Sequence, residues 1–345
     1  MAARPPLAGT EQRPTLESVA ARAGVSRATA SRVFNGSSKV SAAARDAVLR
    51  AADDLAYTVN RAARALVTRR SDSIAFLVAE NEDRMFHDPY FLGVLRGAQA
   101  EAAGAGLQLV FVIAASSAET KQFLNFVSGG HVDGVLLVSM HGDDALAEQL
   151  EELGVPTVLN GRPFRAGTQL YSVDSDNVAG GRRATERLLD RHAKQVGTIT
   201  GPLDMSAGQD RLIGYRQALV DAGRQYRGAL IAEGDFTVDG GARAMARLLE
   251  SVPDLDAVFA ASDLTALGAM RVLADTGRRV PGDVAVIGFD DVREAQLTNP
   301  PLSTMRQPVD EVGRTMARVL VGRLAGDDVP RRTMLPIELV PRASG

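Results

Sequence analysis

The stretch Thr15-Leu-Glu-Ser-Val-Ala-Ala-Arg-Ala-Gly-Val-Ser-Arg-Ala-Thr-Ala-Ser-Arg-Val-Phe-Asn35 decides how the first part of the chain folds. It predicts two short helices around a tight turn. Thr15 is suited to cap the first helix, because its hydroxyl can accept a hydrogen bond from an N–H of the first turn. Gly24 stands where the chain leaves that helix, a position that favours a residue tolerant of positive φ. Ser26 is expected to cap the second helix, which runs from Arg27 to Phe34 and ends at Asn35.

The second helix presents arginine and small hydroxyl side chains and almost no acid. These side chains are Arg27, Thr29, Ser31 and Arg32. Such a face suits a groove that is walled by phosphates. A solvent-exposed helical hairpin without a DNA role is the alternative, although a surface of alternating charge would fit it better. The pattern therefore indicates a helix-turn-helix DNA-binding head, a motif that unrelated sequences also match by chance.

Length and composition indicate a protein of two or three domains with a large core. The chain has 345 residues, of which 45% are hydrophobic. There is no cysteine, so disulfides and thiolate metal sites are excluded, which fits a cytoplasmic protein. Residues 1–13 predict a disordered tail rather than a signal peptide, because they contain proline and arginine but no apolar run. No apolar stretch reaches the ~18 residues that span a bilayer, so we expect no membrane partner.

The net charge of −3 hides an asymmetry along the chain. Residues 1–70 contain twelve Lys/Arg and five Asp/Glu, so they carry +7, and the remainder carries −10. Chance clustering is a weak explanation, since the division coincides with the helical hairpin. A basic N-terminal module on an acidic body fits a nucleic-acid-binding head on a larger carrier.

Two further segments complete the predicted N-terminal module. A third helix is expected from Ser41, another suitable N-cap, to about Leu55, which makes residues 14–59 the DNA-binding domain. The next segment, Asn60-Arg-Ala-Ala-Arg-Ala-Leu66, is too short to form a stable helix alone in water. Residues 60–71 are either a simple linker or a hinge that folds on DNA and inserts Leu66 into a minor-groove step.

From Ser73 onward, strand-like apolar runs alternate with amphipathic helices. This alternation predicts parallel sheets with helices on both faces. The nine predicted strands, from Ile74–Ala79 to Val284–Gly288, are too many for one ordinary sheet of ~5–6 strands, so we expect two α/β lobes. Lobe 1 is predicted to comprise about 72–173 and 308–325, and lobe 2 about 174–307 and 326–345. Ligands of such sheets bind beyond the carboxyl ends of the strands, which here means the cleft between the lobes.

Motifs of catalysis and cofactor binding are absent from the sequence. We find no dinucleotide-binding Gly-x-Gly-x-x-Gly after a strand, no phosphate-binding loop and no nucleophile elbow. The four histidines, His87, His131, His141 and His192, have no metal-ligand spacing. The sequence therefore indicates neither an enzyme nor a metal or cofactor.

Taken together, these segments resemble the LacI/GalR family of bacterial transcription regulators from Thr15 to Pro341. The motifs that carry the resemblance are the two halves of the hairpin, Asn60–Leu66, and three segments of the body: Val173-Asp-Ser-Asp-Asn-Val-Ala-Gly-Gly181, Ala261-Ser-Asp-Leu-Thr-Ala-Leu-Gly-Ala-Met270 and Val286-Ile-Gly-Phe-Asp-Asp291. The resemblance implies an all-α helix-turn-helix head, a hinge helix and a two-lobed α/β core like that of periplasmic sugar-binding proteins.

The resemblance also implies roles for residues of the head and hinge. Arg27, Ala28 and Arg32 match base-reading positions; arginine can bond to guanine O6 and N7, whereas Ala28 can only touch a thymine methyl. The phosphate-contacting positions are matched by Ser26, Thr29, Ser31 and Asn35, which would orient the head without reading sequence. Leu66 matches the intercalating leucine of the hinge and Ala63 the small residue where two hinge helices meet. Ala28 and Ala63 could also be ordinary helix residues.

For the effector cleft, the resemblance implies a set of polar and aromatic residues around a small ligand. The positions are Phe91, Asn160, Arg162, Arg211, Phe236, Ser262 and Asp290. Amide, guanidinium and carboxylate groups make multiple hydrogen bonds to sugar hydroxyls, and the phenylalanines could stack on a sugar or base. Other roles remain open: Asp290 could cap a turn, the two phenylalanines could be plain core, and Arg162 could form a salt bridge across the lobes. Arg211 is expected to open the helix after Ser206-Ala-Gly-Gln-Asp.

The resulting prediction is a homodimeric cytoplasmic transcription regulator, most simply a repressor. It would bind a pseudo-palindromic, double-stranded operator, one half per subunit, and a small polar effector, a sugar in the first place. The chain stops soon after Pro341 without leucine heptads, which favours a dimer over a tetramer. The alternatives are a solute-binding protein without a DNA role, an α/β enzyme, and a regulator that responds to a nucleoside or purine.

Overall fold

The computed structural model describes residues 14–34, 39–57, 70–142, 144–165 and 167–345. The predicted tail 1–13, most of the hinge and three candidate DNA-contacting residues, Asn35, Ala63 and Leu66, lie outside the described residues. The chain divides into two compact units, one that ends at Ser71 and one that runs from Asp72 to Gly345.

Among its described residues, the N-terminal unit contains three helices, and their predicted caps are confirmed. The helices are α1 (Leu16–Arg22), α2 (Arg27–Phe34) and α3 (Ala42–Asp54). The hydroxyls of Thr15, Ser26 and Ser41 each accept a hydrogen bond from an N–H in the first turn of their helix, at 3.2, 3.1 and 3.3 Å. Gly24 has a φ of +67°, as the turn between α1 and α2 requires. Val19, Ala30 and Val48, one from each helix, are fully buried and form the centre of a small core.

The second unit is built from two six-stranded sheets flanked by helices. Its strands are β1 (Ser73–Val78), β2 (Gln108–Ile113), β3 (Gly134–Val138), β4 (Thr157–Asn160), β5 (Tyr171–Ser175), β6 (Val196–Thr200), β7 (Ile231–Glu233), β8 (Ala257–Ala260), β9 (Ala285–Asp290), β10 (Ser303–Arg306), β11 (Arg332–Leu335) and β12 (Glu338–Val340). Its α-helices are α4 (Glu82–His87), α5 (Pro89–Gly104), α6 (Ser117–Ser128), α7 (Leu146–Glu152), α8 (Asn177–Asp190), α9 (Ser206–Asp221), α10 (Val238–Ser251), α11 (Asp263–Asp275) and α12 (Val309–Ala325).

Each sheet forms the centre of one lobe. The order in lobe 1 is β11-β5-β4-β3-β1-β2, and every pairing is parallel. The order in lobe 2 is β12-β10-β9-β8-β6-β7, and only β12 pairs antiparallel, with β10. The predicted class, a helical head followed by two α/β lobes with parallel sheets, is confirmed.

Strand β1 shows why these sheets carry helices on both faces. Ile74, Phe76 and Val78 are fully buried in one hydrophobic cluster, and the alternate residues Ala75 and Leu77 are fully buried in another. Successive side chains of a strand point to opposite faces, so both faces of the sheet are covered. Because both faces are buried, the strands are near-continuous apolar runs in the sequence.

The backbone passes between the lobes three times. It crosses after β5, between β10 and α12, and between β11 and β12. Strand β11 pairs with β5, from Arg332 opposite Ser172 to Leu335 opposite Ser175, so it belongs to lobe 1. This differs from the expected assignment of 326–345 to lobe 2. The two strands are short and only two residues separate them, so no local pattern signals the crossing.

Two details of the helices also differ from the sequence prediction. Helix α9 begins at Ser206, so Arg211 lies inside the helix and does not open it. Gly208 permits the earlier start, because a Cβ at this position would come within 2.2 Å of the Pro202 carbonyl oxygen. The short helix α4 was not predicted, because six residues are too few to show a helical repeat.

Candidate functional site

A cavity lies between the two lobes and brings the predicted effector residues together. Its empty volume is about 1030 Å³, with the open mouth included. All seven predicted residues line it: Phe91, Asn160, Arg162, Arg211, Phe236, Ser262 and Asp290. Asn160 ends β4, Asp290 ends β9 and Ser262 follows β8, so these three stand at the carboxyl ends of parallel strands.

Arg211 is the buried cation of the cavity, and helix packing determines its position. Helices α8 and α9 cross closely at Gly181, where a Cβ would come within 2.2 Å of the Arg211 carbonyl oxygen. The guanidinium donates from Nε to Asn177 Oδ1 at 2.8 Å and from Nη1 to the Ala261 carbonyl. Burial lowers the pKa of Arg211, and the neighbouring acids, Asp290 foremost, oppose that shift.

The carboxylate of Asp290, a buried acid of lobe 2, lies 3.8 Å from Arg211 Nη1. Its Oδ1 accepts a hydrogen bond of 2.6 Å from Nε2 of Gln307, a residue of the second crossing. Burial raises the pKa of Asp290 to about 7, although Arg211 lowers it. The backbone of Asp290 has a φ of +115°, a conformation that L residues rarely adopt. Strained residues of this kind cluster at ligand sites.

Lobe 1 contributes a second polar group at the start of α5. The hydroxyl of Tyr90 donates to Asn160 Oδ1 at 2.9 Å, and Asp88 caps α5 by accepting from the Tyr90 N–H at 3.0 Å. Burial raises the pKa of Asp88 and of Tyr90, so the phenol stays a neutral hydrogen-bond donor. The second lone pair of Asn160 Oδ1 and the Asn160 NH₂ group then remain available for hydrogen bonds to a ligand.

Arg162 is both a lining residue and part of a salt bridge between the lobes. Its Nε and Nη2 bond to the two carboxylate oxygens of Asp210 at 2.7–3.1 Å, and Asp210 lies on α9 in lobe 2. The Arg162 backbone N–H donates to Asp174 Oδ2 at 3.2 Å. Burial raises the pKa of Asp174 to about 6, and the charge of Asp210 adds to that shift. Arg162 therefore lines the cavity and forms the salt bridge across the lobes at the same time.

The two phenylalanines are buried in the cavity wall, one from each lobe. Phe91 is 1% exposed and Phe236 is 5% exposed. The guanidinium of Arg84 lies 5.6 Å from the centroid of the Phe91 ring and 5.1 Å from that of Phe236. Both rings thus lie near a cation and line the cavity, and Phe91 also belongs to the hydrophobic core of lobe 1.

Ser262 has a structural role as well as a position on the cavity. Its hydroxyl accepts from the Thr265 N–H at 3.1 Å and so caps α11. It also lies 2.9 Å from the Thr265 hydroxyl. Ser262 consequently has less hydrogen-bonding capacity left for a ligand than Asn160.

Sequence reasoning missed several polar residues that line the same cavity. These are Arg84, Asp88, Tyr90, Asp174, Asn177 and Gln307. Asp174 and Asn177 stand in the motif Val173–Gly181, and Asp88 and Tyr90 adjoin Phe91, so proximity to recognised positions was an available signal. No sequence signal pointed to Gln307 or Arg84. Gln307 lies in the second crossing and Arg84 on the unpredicted helix α4, and only the fold brings these two segments to the cavity.

The candidate base-reading face of the head is exposed on α2. Ser26, Arg27, Ala28 and Arg32 are exposed, and Thr29 and Ser31 are half-buried. Nε of Arg27 lies 2.5 Å from Glu17 Oε1 on α1, and both side chains are largely exposed. An exposed ion pair contributes little to stability. Arg27 can therefore leave Glu17 for another acceptor at small cost.

Two kinds of feature are absent from the part of the chain that the structure describes. No group of three or more His, Cys, Asp or Glu side chains is arranged to hold a metal ion within the described ranges. Likewise, none of the helices that the structure describes is long and apolar enough to cross a membrane.

Comparison with known families gives matches in both units. The model for bacterial regulatory proteins of the lacI family matches residues 15–60, and the model for a periplasmic binding protein-like domain matches residues 185–345. The HTH-type transcriptional regulator CelR of Thermobifida fusca is 49% identical over 336 residues, which cover 97% of this chain and 99% of CelR.

Solved structures show the same similarity over nearly the whole chain. A complex of the transcriptional regulator CelR with cellobiose is 47% identical, with a TM-score of 0.78, and the match covers 96% of this chain and 100% of that one. The lac repressor dimer bound to operator and the anti-inducer ONPF is 27% identical, with a TM-score of 0.83, and covers 96% and 99%.

Proposed function

Because this chain belongs to the lacI family of bacterial regulatory proteins and is a DNA-binding transcriptional regulator, we propose that it is a repressor controlled by a neutral sugar. It binds its operator as a cytoplasmic homodimer, and the sugar occupies the cavity between the lobes. Cellobiose, the ligand of the CelR complex, is the first candidate. The polar cavity at the carboxyl ends of the strands is the observation that carries the proposal.

The hydrogen-bonding groups of the cavity suit a polyhydroxylated ligand. Asn160 offers both donors and an acceptor, Asp290 offers acceptors, and Arg211 offers donors. A sugar hydroxyl both donates and accepts, so it can satisfy each of these groups. The rings of Phe91 and Phe236 add apolar surface for the C–H face of a sugar.

The charges of the cavity disfavour an anionic ligand such as a sugar phosphate. Arg162 is neutralised by Asp210, and Arg84 by Glu80. The remaining buried charges are the cation Arg211 and the acids Asp88, Asp174 and Asp290. A phosphate placed beside three buried carboxyl groups would be repelled or would force them to take up protons.

The division of the cavity residues between the two lobes explains how a sugar could change operator affinity. Asn160 and Phe91 belong to lobe 1, whereas Asp290, Arg211 and Phe236 belong to lobe 2. A ligand that contacts both sets favours the closed arrangement of the lobes over the open one. If the two arrangements hold the heads of a dimer at different spacing, operator and sugar affinities are thermodynamically linked.

On DNA, the exposed face of α2 would enter the major groove. Arg27 and Arg32 then read guanines, Ala28 contacts a thymine methyl, and Ser26, Thr29, Ser31 and Asn35 contact phosphates. Ala63 and Leu66 would act in the minor groove. The basic charge of residues 1–70 supports this assignment.

Isothermal titration calorimetry tests the ligand. Cellobiose, glucose, phosphorylated cellobiose and a nucleoside are titrated into the full-length protein. We expect cellobiose to bind and phosphorylated cellobiose to bind at least about tenfold more weakly. Tighter binding of the nucleoside would replace the sugar proposal by the nucleoside alternative, and tighter binding of the phosphorylated sugar would contradict the charge argument.

The DNA role is tested with an operator obtained by selection from a random duplex library. Fluorescence anisotropy then measures affinity for that duplex with and without cellobiose, across a salt series. We expect a palindromic consensus, affinity that falls with salt, and a shift when cellobiose is added. A protein that enriches no sequence would contradict a role as an operator-binding repressor.

A further inference from the structure

We propose that Glu17, on α1, is a positioning residue for operator recognition, whose carboxylate orients the guanidinium of Arg27 on α2 towards a guanine. The inference rests on the proposed function, because it requires that Arg27 reads a base in the major groove. Glu17 itself matches none of the base-reading or phosphate-contacting positions of the head. Its role follows from where α1 and α2 place the two side chains.

Glu17 is the only acidic residue of the hairpin that α1 and α2 form. Between residues 14 and 44 the chain contains no other Asp or Glu. A carboxylate on a face that meets phosphates weakens DNA binding by repulsion, so this acid is unfavourable for affinity. A gain in sequence specificity would offset that loss. The alternative reason for the acid is the dipole of α1, which favours a negative charge in the first turn.

The carboxylate of Glu17 and the guanidinium of Arg27 form an ion pair across the hairpin. Oε1 of Glu17 lies 2.5 Å from Nε of Arg27, and the two side chains are 60% and 70% exposed. A hydrogen bond from its own backbone N–H, followed by the charge of Arg27, lowers the pKa of Glu17, so the side chain is a carboxylate at neutral pH. The pair therefore stands on the solvent-exposed side of the hairpin, where Arg27 would meet the groove.

Helix caps hold the backbone at both ends of this ion pair. Thr15 and Ser18, on either side of Glu17, exchange hydrogen bonds of 2.9 and 3.2 Å at the start of α1. Ser26, directly before Arg27, caps α2 by accepting from an N–H of its first turn at 3.1 Å. The packed hairpin therefore sets the separation of the two backbones, and only side-chain rotations remain to position the guanidinium.

The contact leaves the base-reading edge of Arg27 available. A guanidinium carries donors on Nε and on both Nη atoms, and Glu17 contacts the Nε side. Nη1 and Nη2 can then donate to O6 and N7 of one guanine. In solvent such an exposed pair is weak, but a groove that displaces water strengthens it. An arginine held in this way loses less conformational entropy on binding and turns less readily to a phosphate.

The test is a double-mutant cycle that is measured at single base pairs. Fluorescence anisotropy gives the affinities of full-length wild type, Glu17→Gln, Glu17→Asp, Arg27→Ala and the two double variants for the selected operator and its single-base variants. The base pair that Arg27 reads is the one at which Arg27→Ala relaxes the preference.

Glu17→Gln and Glu17→Asp should each reduce the preference for guanine at that base pair by about fivefold and leave the preference at the Arg32 base pair unchanged. Aspartate keeps the charge at the start of α1 but is one methylene shorter, so it separates positioning of Arg27 from the helix dipole. In the Arg27→Ala background, neither substitution of Glu17 should change the preference further.

Asp54→Asn is the matched control, because Asp54 is an exposed acid of the same unit that pairs with Arg22 at 3.0 Å. It should leave every base preference unchanged. If Glu17→Gln changes the affinity for all duplexes by one factor, Glu17 acts only through its charge and the inference is wrong. A loss of preference that persists in the Arg27→Ala background would mean that Glu17 contacts a base itself, which also contradicts the inference. Failure of the wild type to select any sequence would instead overturn the proposed function, and this inference with it.

Discussion

Nδ1 of His141 in lobe 1 lies 2.9 Å from Oδ2 of Asp204 in lobe 2. On its other side, Nε2 lies 3.1 Å from Oε2 of Glu80. One imidazole ring therefore joins a buried acid of its own lobe to an exposed acid of the other. The residue after His141, Gly142, donates its N–H to the Asp204 carbonyl at 2.6 Å, so the two lobes also meet through backbone.

This contact predicts a stability that depends on pH. The hydrogen bond with Glu80, together with that to Asp204, raises the pKa of His141, although burial opposes it. A raised histidine pKa stabilises the fold fully below the unfolded value of about 6.5, and this contribution is lost as pH rises through the folded value. His141→Gln should therefore lower the free energy of unfolding at pH 6 by on the order of 1 kcal/mol, and the difference should shrink towards pH 9.

Thermal unfolding of wild type and variant across that pH range measures the effect. Asp174 and Asp290 titrate in both proteins, so the difference between the two isolates His141. His87→Gln, which removes a histidine bonded to the backbone oxygen of Asp83 at 2.6 Å, controls for loss of a ring within one lobe. A difference that grows with pH would mean that the ring does not join the lobes as a cation.

Asp290→Asn should separate stability from function. Burial raises the pKa of Asp290 to about 7, so its ionisation costs stability as pH rises from the ordinary value of 3.8 to above 7. Asparagine keeps the shape without that cost. At pH 8 we expect the variant to have a higher Tm than the wild type and a free energy of unfolding that is larger by at least about 1 kcal/mol. At pH 5 this gain in unfolding free energy should be smaller. Cellobiose affinity should fall about tenfold, because an acceptor is lost. Unchanged affinity would remove Asp290 from the sugar site.

Arg32→Ala should weaken operator binding by about 1–3 kcal/mol and relax preference at one base pair. Arg32 is exposed at the end of α2, so Tm and sugar affinity should not change. Arg22→Ala is the matched control, since Arg22 is an exposed arginine of α1 bonded to Asp54 at 3.0 Å. Fluorescence anisotropy with the selected operator and its single-base variants measures both the affinity and the base preference. Equal losses for both arginines would indicate a general charge effect instead of base reading.

Leu66→Ala tests the hinge, most of which, Leu66 included, lies outside the described residues. If Leu66 enters a minor-groove step, its truncation should reduce operator affinity and leave calorimetric sugar affinity intact. Leu153→Ala, at a leucine that is 51% exposed on lobe 1, provides a control for removing exposed apolar surface. Operator affinity equal to that of the wild type would make the segment a plain linker.

Gly181→Ala should destabilise the core of lobe 2 by about 1–3 kcal/mol. The added Cβ would press on the backbone of Arg211, so sugar affinity should fall as well. Gly104→Ala is the control, because this helical glycine has open space around the position of a Cβ and alanine favours helix. Differential scanning calorimetry compares the two variants. A Tm for Gly181→Ala at or above that of the wild type would show that α8 and α9 can separate without cost.

Much of the architecture followed from local patterns that need no partner in space. The caps at Thr15, Ser26 and Ser41 and the turn at Gly24 depend on groups a few residues apart, so they could be predicted directly. The buried apolar runs of the strands likewise signal a sheet covered on both faces. The seven cavity residues came from the family resemblance, and the structure brings all of them to one cavity.

The remaining features depend on residues far apart in sequence. Strand β11 joins lobe 1 because it pairs with β5, which lies more than a hundred residues earlier. Gln307 reaches Asp290, and Arg84 reaches Phe236, only through the way the lobes pack. Composition and periodicity therefore determined the helical head, the two α/β lobes and the chemistry available to them. Only the tertiary structure decided which donors are satisfied and which acids are buried, because burial and pairing are properties of the packed lobes.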